Sequence, residues 1–150
     1  MKSLFDAATA AEIKSRIARL GPGSMRQWGK MNAPQAMAHC AIAMEWAVGD
    51  ISAPRMFLGR IFGSLAKSKV LKDEAPLRRN TPTAKSLVIT NERDLEKECQ
   101  RLTALIDRFS AGGPQGCTKH PHTFFGALTP DEWGRLMYKH LDHHLRQFGA

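Results

Sequence analysis

The chain has 150 residues, 43% of them hydrophobic and 24% charged, the size and balance of one globular domain able to bury a core. No apolar run approaches the roughly 20 residues of a membrane-spanning helix, and no signal-peptide pattern opens the chain. Three cysteines without a CxxC motif do not make a disulfide framework, so a cytoplasmic protein with no membrane partner is expected. The formal charge of +8 is concentrated: eight basic residues (Arg55, Arg60, Lys67, Lys69, Lys72, Arg78, Arg79 and Lys85) stand against Asp73 and Glu74 alone between positions 55 and 85. Such charge steers anionic partners. No zinc-finger, RNP or helix-turn-helix signature accompanies it, so the segment reads as solvated surface rather than a nucleic-acid site.

Residues 6–20 read as a first helix, with Ala10, Ile13, Ile17 and Leu20 at helical spacing. Either Asp6 or the Thr9/Glu12 pair caps it, and Gly21-Pro22-Gly23-Ser24 ends it. Trp28 lies in the linker that follows, where a Trp packs as a lid on a core edge. A second helix runs from an Asn32 N-cap to Val48, closed by Gly49. His39 shares one of its faces with Gln35, Ala36, Ile42, Ala43 and Trp46. Residues 51–90 are the least regular, because Pro54, Pro76, Pro82, Gly59 and Gly63 break up any long helix. Met56, Phe57, Leu58, Ile61, Phe62 and Leu65 are expected to form one or two short amphipathic helices covering the bundle. Such a basic amphipathic segment can also touch a membrane, but the glycines argue against this and for packing on its own domain. The run Ser86-Leu87-Val88-Ile89 is either extended or leads straight into the next helix. That helix is expected to start at Asn91, with Leu95, Cys99, Leu102, Ile106 and Phe109 inward and Glu98 solvated beside them. It ends at Ala111-Gly112-Gly113-Pro114. A loop to Leu128 holds Cys117, His120, His122, Phe124 and Phe125.

The final helix has the clearest signals. Thr129, Pro130 and Glu132 form a capping box with proline at the first helical position, and Gly149 supplies the stop. Trp133, Leu136, Met137, His140, His144, Gln147 and Phe148 share one face, with Arg135, Lys139, Asp142 and Arg146 opposite. Two histidines four residues apart thus sit in the stripe that points into a core. The fold expected is all-α: a four-helix bundle over residues 1–150, with a long irregular crossover between its second and third helices.

In such a bundle metal sites form between facing helices. His140 and His144 can turn towards one ion, and His39 can close a three-nitrogen face for zinc, nickel or iron. A fourth position would stay open for water or substrate. A His140/His143 pair is also geometrically possible, although His143 sits at the edge of the stripe. A competing set, Cys117-x-x-His120-x-His122, offers three ligands where a structural zinc takes four. No GxGxxG, P-loop, GxSxG or HExxH motif is present. Cys40, next to His39, points about 100° away from it on the helix, which removes a Cys–His nucleophilic pair.

Three blocks carry a family resemblance: Trp28-Gly29-Lys30-Met31-Asn32-x-x-Gln35-x-Met37-x-His39, then Phe125-Gly126-x-Leu128-Thr129, then Trp133 with His140-x-x-His143-His144-x-x-Gln147. Spanning essentially the whole chain, they resemble the DinB/YfiT-like superfamily of metal-binding four-helix bundles, and more closely an uncharacterised bacterial branch of it. The resemblance implies that His39, His140 and His144 bind one divalent transition-metal ion, zinc or nickel first and iron next. It also implies a small-molecule substrate, a bacterial low-molecular-weight thiol as co-substrate, and a homodimer. His143, Gln147, Trp46, Trp28, His120 and His122 are the residues expected around the site. The loop His120-Pro121-His122-Thr123-Phe124-Phe125-Gly126 is longer than the family's His-Pro-x-Phe-Gly block, so either histidine can stand at the family position. Three functions remain: a metal-dependent hydrolase or thiol transferase, a non-catalytic metal-binding or stress-associated bundle, and an anion-binding bundle using residues 55–85.

Overall fold

Caps and apolar stripes produce five α-helices: α1 (Ala7–Ile17), α2 (Ala33–Val48), α3 (Phe57–Val70), α4 (Leu95–Gly112) and α5 (Pro130–Gln147). The computed structural model describes residues 1–81 and 83–150, Ser86 by its backbone. Pro82, one of the expected helix breakers, lies outside the described residues. Short 3-10 turns at Lys85–Leu87 and Gly113–Gly116 and one isolated bridge between His122 and Gly126 complete the regular structure; no strand forms among the described residues. The architecture is all-α, with five helices rather than a simple four-helix bundle; α3 lies in the segment expected to hold one or two short amphipathic helices.

The caps explain the boundaries. Asp6 caps α1 by accepting from the Thr9 amide at 3.2 Å. Asn32 and Gln35 form a reciprocal capping box on α2, each amide-to-side-chain bond 3.0 Å long, and Gly49 closes that helix at φ +84°, a conformation glycine adopts without a Cβ penalty. Thr129 and Glu132 do the same at the start of α5. The start of α4 departs from expectation. Its cap is Asp94, which accepts from the Lys97 amide at 2.9 Å, while the Asn91 carbonyl accepts from the Gln35 side chain. Glu98, expected in solvent, is buried because Arg93 and Arg101 each reach it at 3.1 Å.

The core lies among α1, α2, α4 and α5. α2 packs on α4 and α5, and α1 packs on the same two helices. Ile13, Ile17, Met37, Met44, Leu102, Ile106, Phe109, Trp133, Leu141 and Leu145 fill the space between them. α5 is enclosed on more sides than its polar stripe predicts. Lys139 is buried and donates to the carbonyls of Val70 at 2.7 Å and Asp73 at 2.8 Å, so it satisfies the C-terminal end of α3. Asp142 is buried between Arg16 and Arg146, both at 2.7 Å. The crossover and α1 therefore cover the face expected to be in water.

α3 is the largest departure. Gly59 and Gly63 do not interrupt it; they are its contact surface. A Cβ at Gly59 would lie 2.5 Å from the Phe124 carbonyl oxygen, and one at Gly63 would collide with the same atom. The helix rests on the backbone of Phe124 and Phe125, and its apolar stripe faces solvent rather than the bundle. Gly63→Ala should accordingly destabilise the protein by about 1–3 kcal/mol, as overpacking does. Gly112→Ala, at a helical position where an added Cβ meets nothing, should be neutral or stabilising by up to ~1 kcal/mol. Urea unfolding of the two variants checks the contrast.

Candidate metal centre

His39 on α2 and His140 and His144 on α5 converge. Their ring centroids form a near-equilateral triangle, 4.9 Å from His39 to His140, 4.7 Å from His39 to His144 and 4.9 Å from His140 to His144, with the planes inclined at 51°, 64° and 85°. One ring nitrogen from each lies within 4.8 Å of the other two, and this is the one group of such side chains among the described residues that could hold a metal ion. His39 and His144 are buried, and His140 is half-buried.

The hydrogen bonds fix two tautomers. His39 Nδ1 lies 2.8 Å from the Leu87 carbonyl, which only accepts, so Nδ1 carries the proton and Nε2 holds a lone pair. Gln147 Nε2 donates to the Trp28 carbonyl at 2.7 Å, which turns its Oε1 towards His144 Nδ1 at 2.9 Å. Nδ1 of His144 therefore carries its proton too. His140 Nε2 lies 2.9 Å from His39 Nε2, and His140 Nδ1 is buried without a partner. Three inward nitrogens thus share at most one proton, that of His140. A cation satisfies all three, and this is the chemistry of a trihistidine metal site. Bonds of about 2.0–2.1 Å in tetrahedral geometry separate ligand nitrogens by about 3.3 Å, a spacing bracketed by the 2.9 Å and 4.8 Å found here.

The backbone around Gln147 is shaped for this role. Gly29 has φ +78°, and a Cβ there would lie 2.5 Å from Gln147 Nε2. The Gln27 amide donates to the Gln147 carbonyl at 2.8 Å. The Trp28-Gly29 pair and the C-terminal Gln147 therefore form one support beneath His144.

The other expected residues separate into two groups. His143 stands beside the cluster, its ring 5.1 Å from His144 and 5.6 Å from Trp28. His122 accepts the amides of Phe124 and Phe125 on Nδ1, both at 3.1 Å, and packs among Trp46, Phe125 and Trp133; it organises the turn that carries α3. His120 is exposed. Cys117, His120 and His122 are not brought together as a metal-holding group. One contributor is not singled out by the sequence, Leu87, whose carbonyl orients His39; Gly29 belongs to the Trp28–His39 block, but its close approach to Gln147 is visible only in the structure. Leu87 left only the signal of a short apolar run.

Burial dominates the electrostatics. It pushes His39 and His140 below the ordinary imidazole range, the neighbouring histidines adding to the effect at His140. Burial, with His39 beside it, lowers His144 to about 3. Burial and the nearby Arg55 lower His122 to about 4. Neutral imidazole is the form that binds metal.

The family described as Protein of unknown function (DUF1569) matches residues 3–150. The chain belongs to this family. No curated protein and no solved structure matches it. Every residue of the histidine cluster and its support falls inside the DUF1569 match.

The lowered pKa values set a stability profile for the metal-free protein. Between pH 6.5, the ordinary histidine value, and about 4, the unfolded chain binds protons that the folded chain refuses. Stability is therefore complete above pH 6.5 and declines as the pH falls, by about 1.4 kcal/mol per pH unit for each histidine held fully neutral. The depressed carboxylates Asp6, Asp50, Glu74 and Glu132 start from 3.8 or 4.5 and add only at lower pH. Urea midpoints of chelator-treated protein should fall steadily from pH 6.5 to 5; a flat profile there would mean the imidazoles are not buried neutral.

Proposed function

We propose that the chain binds one divalent transition-metal ion, zinc or nickel first and iron next, through His39, His140 and His144. In this reading it is an enzyme acting on a small molecule, by hydrolysis or by transfer involving a low-molecular-weight thiol. The observation that carries the reading is the three-ring convergence, with two lone pairs already aimed inward by Leu87 and Gln147. The resemblance to the DinB/YfiT-like superfamily supports it, as does the packing of α1, α2, α4 and α5 around one core. On this proposal those four helices over residues 1–150 are the superfamily's bundle, and α3 is an addition in the crossover.

A divalent ion in the cluster supplies Lewis acidity that draws the pKa of a water or thiol towards neutrality. The chain's own groups do the rest. Leu87 and the Trp28–Gln147 pair hold two rings in their ligating tautomers. A substrate would reach the ion from the side of His140, the least buried of the three. His143, half-buried at the rim beside Trp28, is placed to take up a proton released there. The chain's own thiols do not compete with a thiol substrate. Cys40 is fully buried and its pKa is pushed up by burial, and burial raises Cys99 as well and Cys117 to about 11.

The test is metal stoichiometry in single variants of untagged protein. His144→Ala should lose the ion. Gln147→Leu should keep it with affinity lowered about 10–100-fold, and His122→Ala should keep a full equivalent. A full equivalent in His144→Ala would contradict the ligand set. In cobalt-loaded protein, a thiol co-substrate should give a sulfur-to-metal charge-transfer band. No spectral change with any low-molecular-weight thiol would remove the transferase and leave the hydrolase.

A further inference from the structure

α3 turns outward the face that an amphipathic helix ordinarily buries. Phe57, Leu58, Ile61, Phe62 and Leu65 are 73, 56, 58, 54 and 76% exposed, and are five of the nine large apolar side chains exposed among the described residues. They recur at one-turn spacing along a single face and make a contiguous patch of the kind that marks a contact surface. The helix cannot roll to bury them, because its opposite face is Gly59 and Gly63 against the Phe124 backbone. It is also tied down along its length. The Met56 amide donates to the Thr123 carbonyl at 2.9 Å, Lys67 pairs with Glu132 at 3.0 Å, and Lys139 holds the Val70 carbonyl. The glycines that argued against a membrane contact in the sequence are what holds the apolar face outward.

Charge selects the occupant. α3 has no acidic residue. Arg60 and Lys69 on the helix, and Lys72 and Arg78 just beyond it, are exposed, and none makes an ion pair among the described residues. The nearest acids in sequence are Asp73, which accepts from the Ala75 amide at 2.9 Å, and Glu74, which accepts from the amide of Lys2 at 2.7 Å. A second copy would bring the same cations to the rim. An anionic surface complements both the apolar stripe and the cations around it. We infer that α3 is an interfacial anchor that lays Phe57, Leu58, Ile61, Phe62 and Leu65 into the headgroup region of an anionic lipid surface, with Arg60, Lys69 and Lys72 on the lipid phosphates. This inference does not depend on the metal centre.

The test is co-sedimentation with phosphatidylcholine vesicles, with and without added phosphatidylglycerol. Binding should appear with phosphatidylglycerol, fall by about tenfold or more without it, and weaken as salt is raised. A Phe62→Ser/Leu65→Ser double variant changes only exposed side chains, so it should melt like wild type yet bind about tenfold or more weakly. Lys69→Gln/Lys72→Gln should lose about 25-fold, about fivefold per cation. Absence of wild-type binding, or equal binding to both vesicle types, would overturn the inference. So would a dimer in sedimentation velocity that the Phe62→Ser/Leu65→Ser variant makes monomeric, since the face would then join two copies.

Discussion

Three neutral imidazoles in one patch of core cannot be satisfied by each other. Buried polar atoms almost always find partners, and here the partners stop one step short. Leu87 takes the outer proton of His39 and Gln147 takes that of His144, which leaves the inner lone pairs facing His140. Removing charge from this place costs little, because burial already holds the rings neutral. Leaving the lone pairs without a cation is what costs. The rest of the arrangement follows from aiming these three rings at one point.

α5 is the element on which that aim depends. It carries two of the three rings, it anchors the Trp28 segment through Gln147, and it is covered on its polar side as well. The Asp142 carboxylate between Arg16 and Arg146, and Lys139 on the end of α3, tie the helix to its surroundings at successive turns. A buried ion pair of this kind contributes little net stability but is expensive to break, so it serves registration more than strength. Holding α5 in register fixes the 4.7–4.9 Å triangle.

Much of this was legible in the sequence, and the reasons are local. Asn32 with Gln35 and Thr129 with Glu132 announce helix starts through their own side chains, and the i,i+4 spacing of His140 and His144 needs no tertiary knowledge. What was not legible depended on partners distant in the chain. Lys139 and Asp142 read as solvent-facing because nothing nearby reveals the α3 carbonyls or Arg16. Glu98 read as solvated because its arginines are recognised only once α4 has its true start at Asp94. α3 departs from expectation for a different reason. By propensity alone glycine costs a helix about 1 kcal/mol, whereas here it is required by the closeness of Phe124. The same glycines reversed the expected direction of the apolar stripe. His122 shows a further limit: its neighbours Phe124 and Phe125 were visible, but nothing in the spacing says that its Nδ1 is spent on their amides.

The central claim is that one ion sits among these three rings. Anomalous scattering at the absorption edge of the bound metal, from crystals of the metal-loaded protein, tests it most directly. The account predicts a single strong peak about 2.0–2.2 Å from one ring nitrogen each of His39, His140 and His144, with Gln147 still bonded to His144 Nδ1. A peak among Cys117, His120 and His122 instead, or a metal-loaded crystal with no peak between α2 and α5, would contradict it.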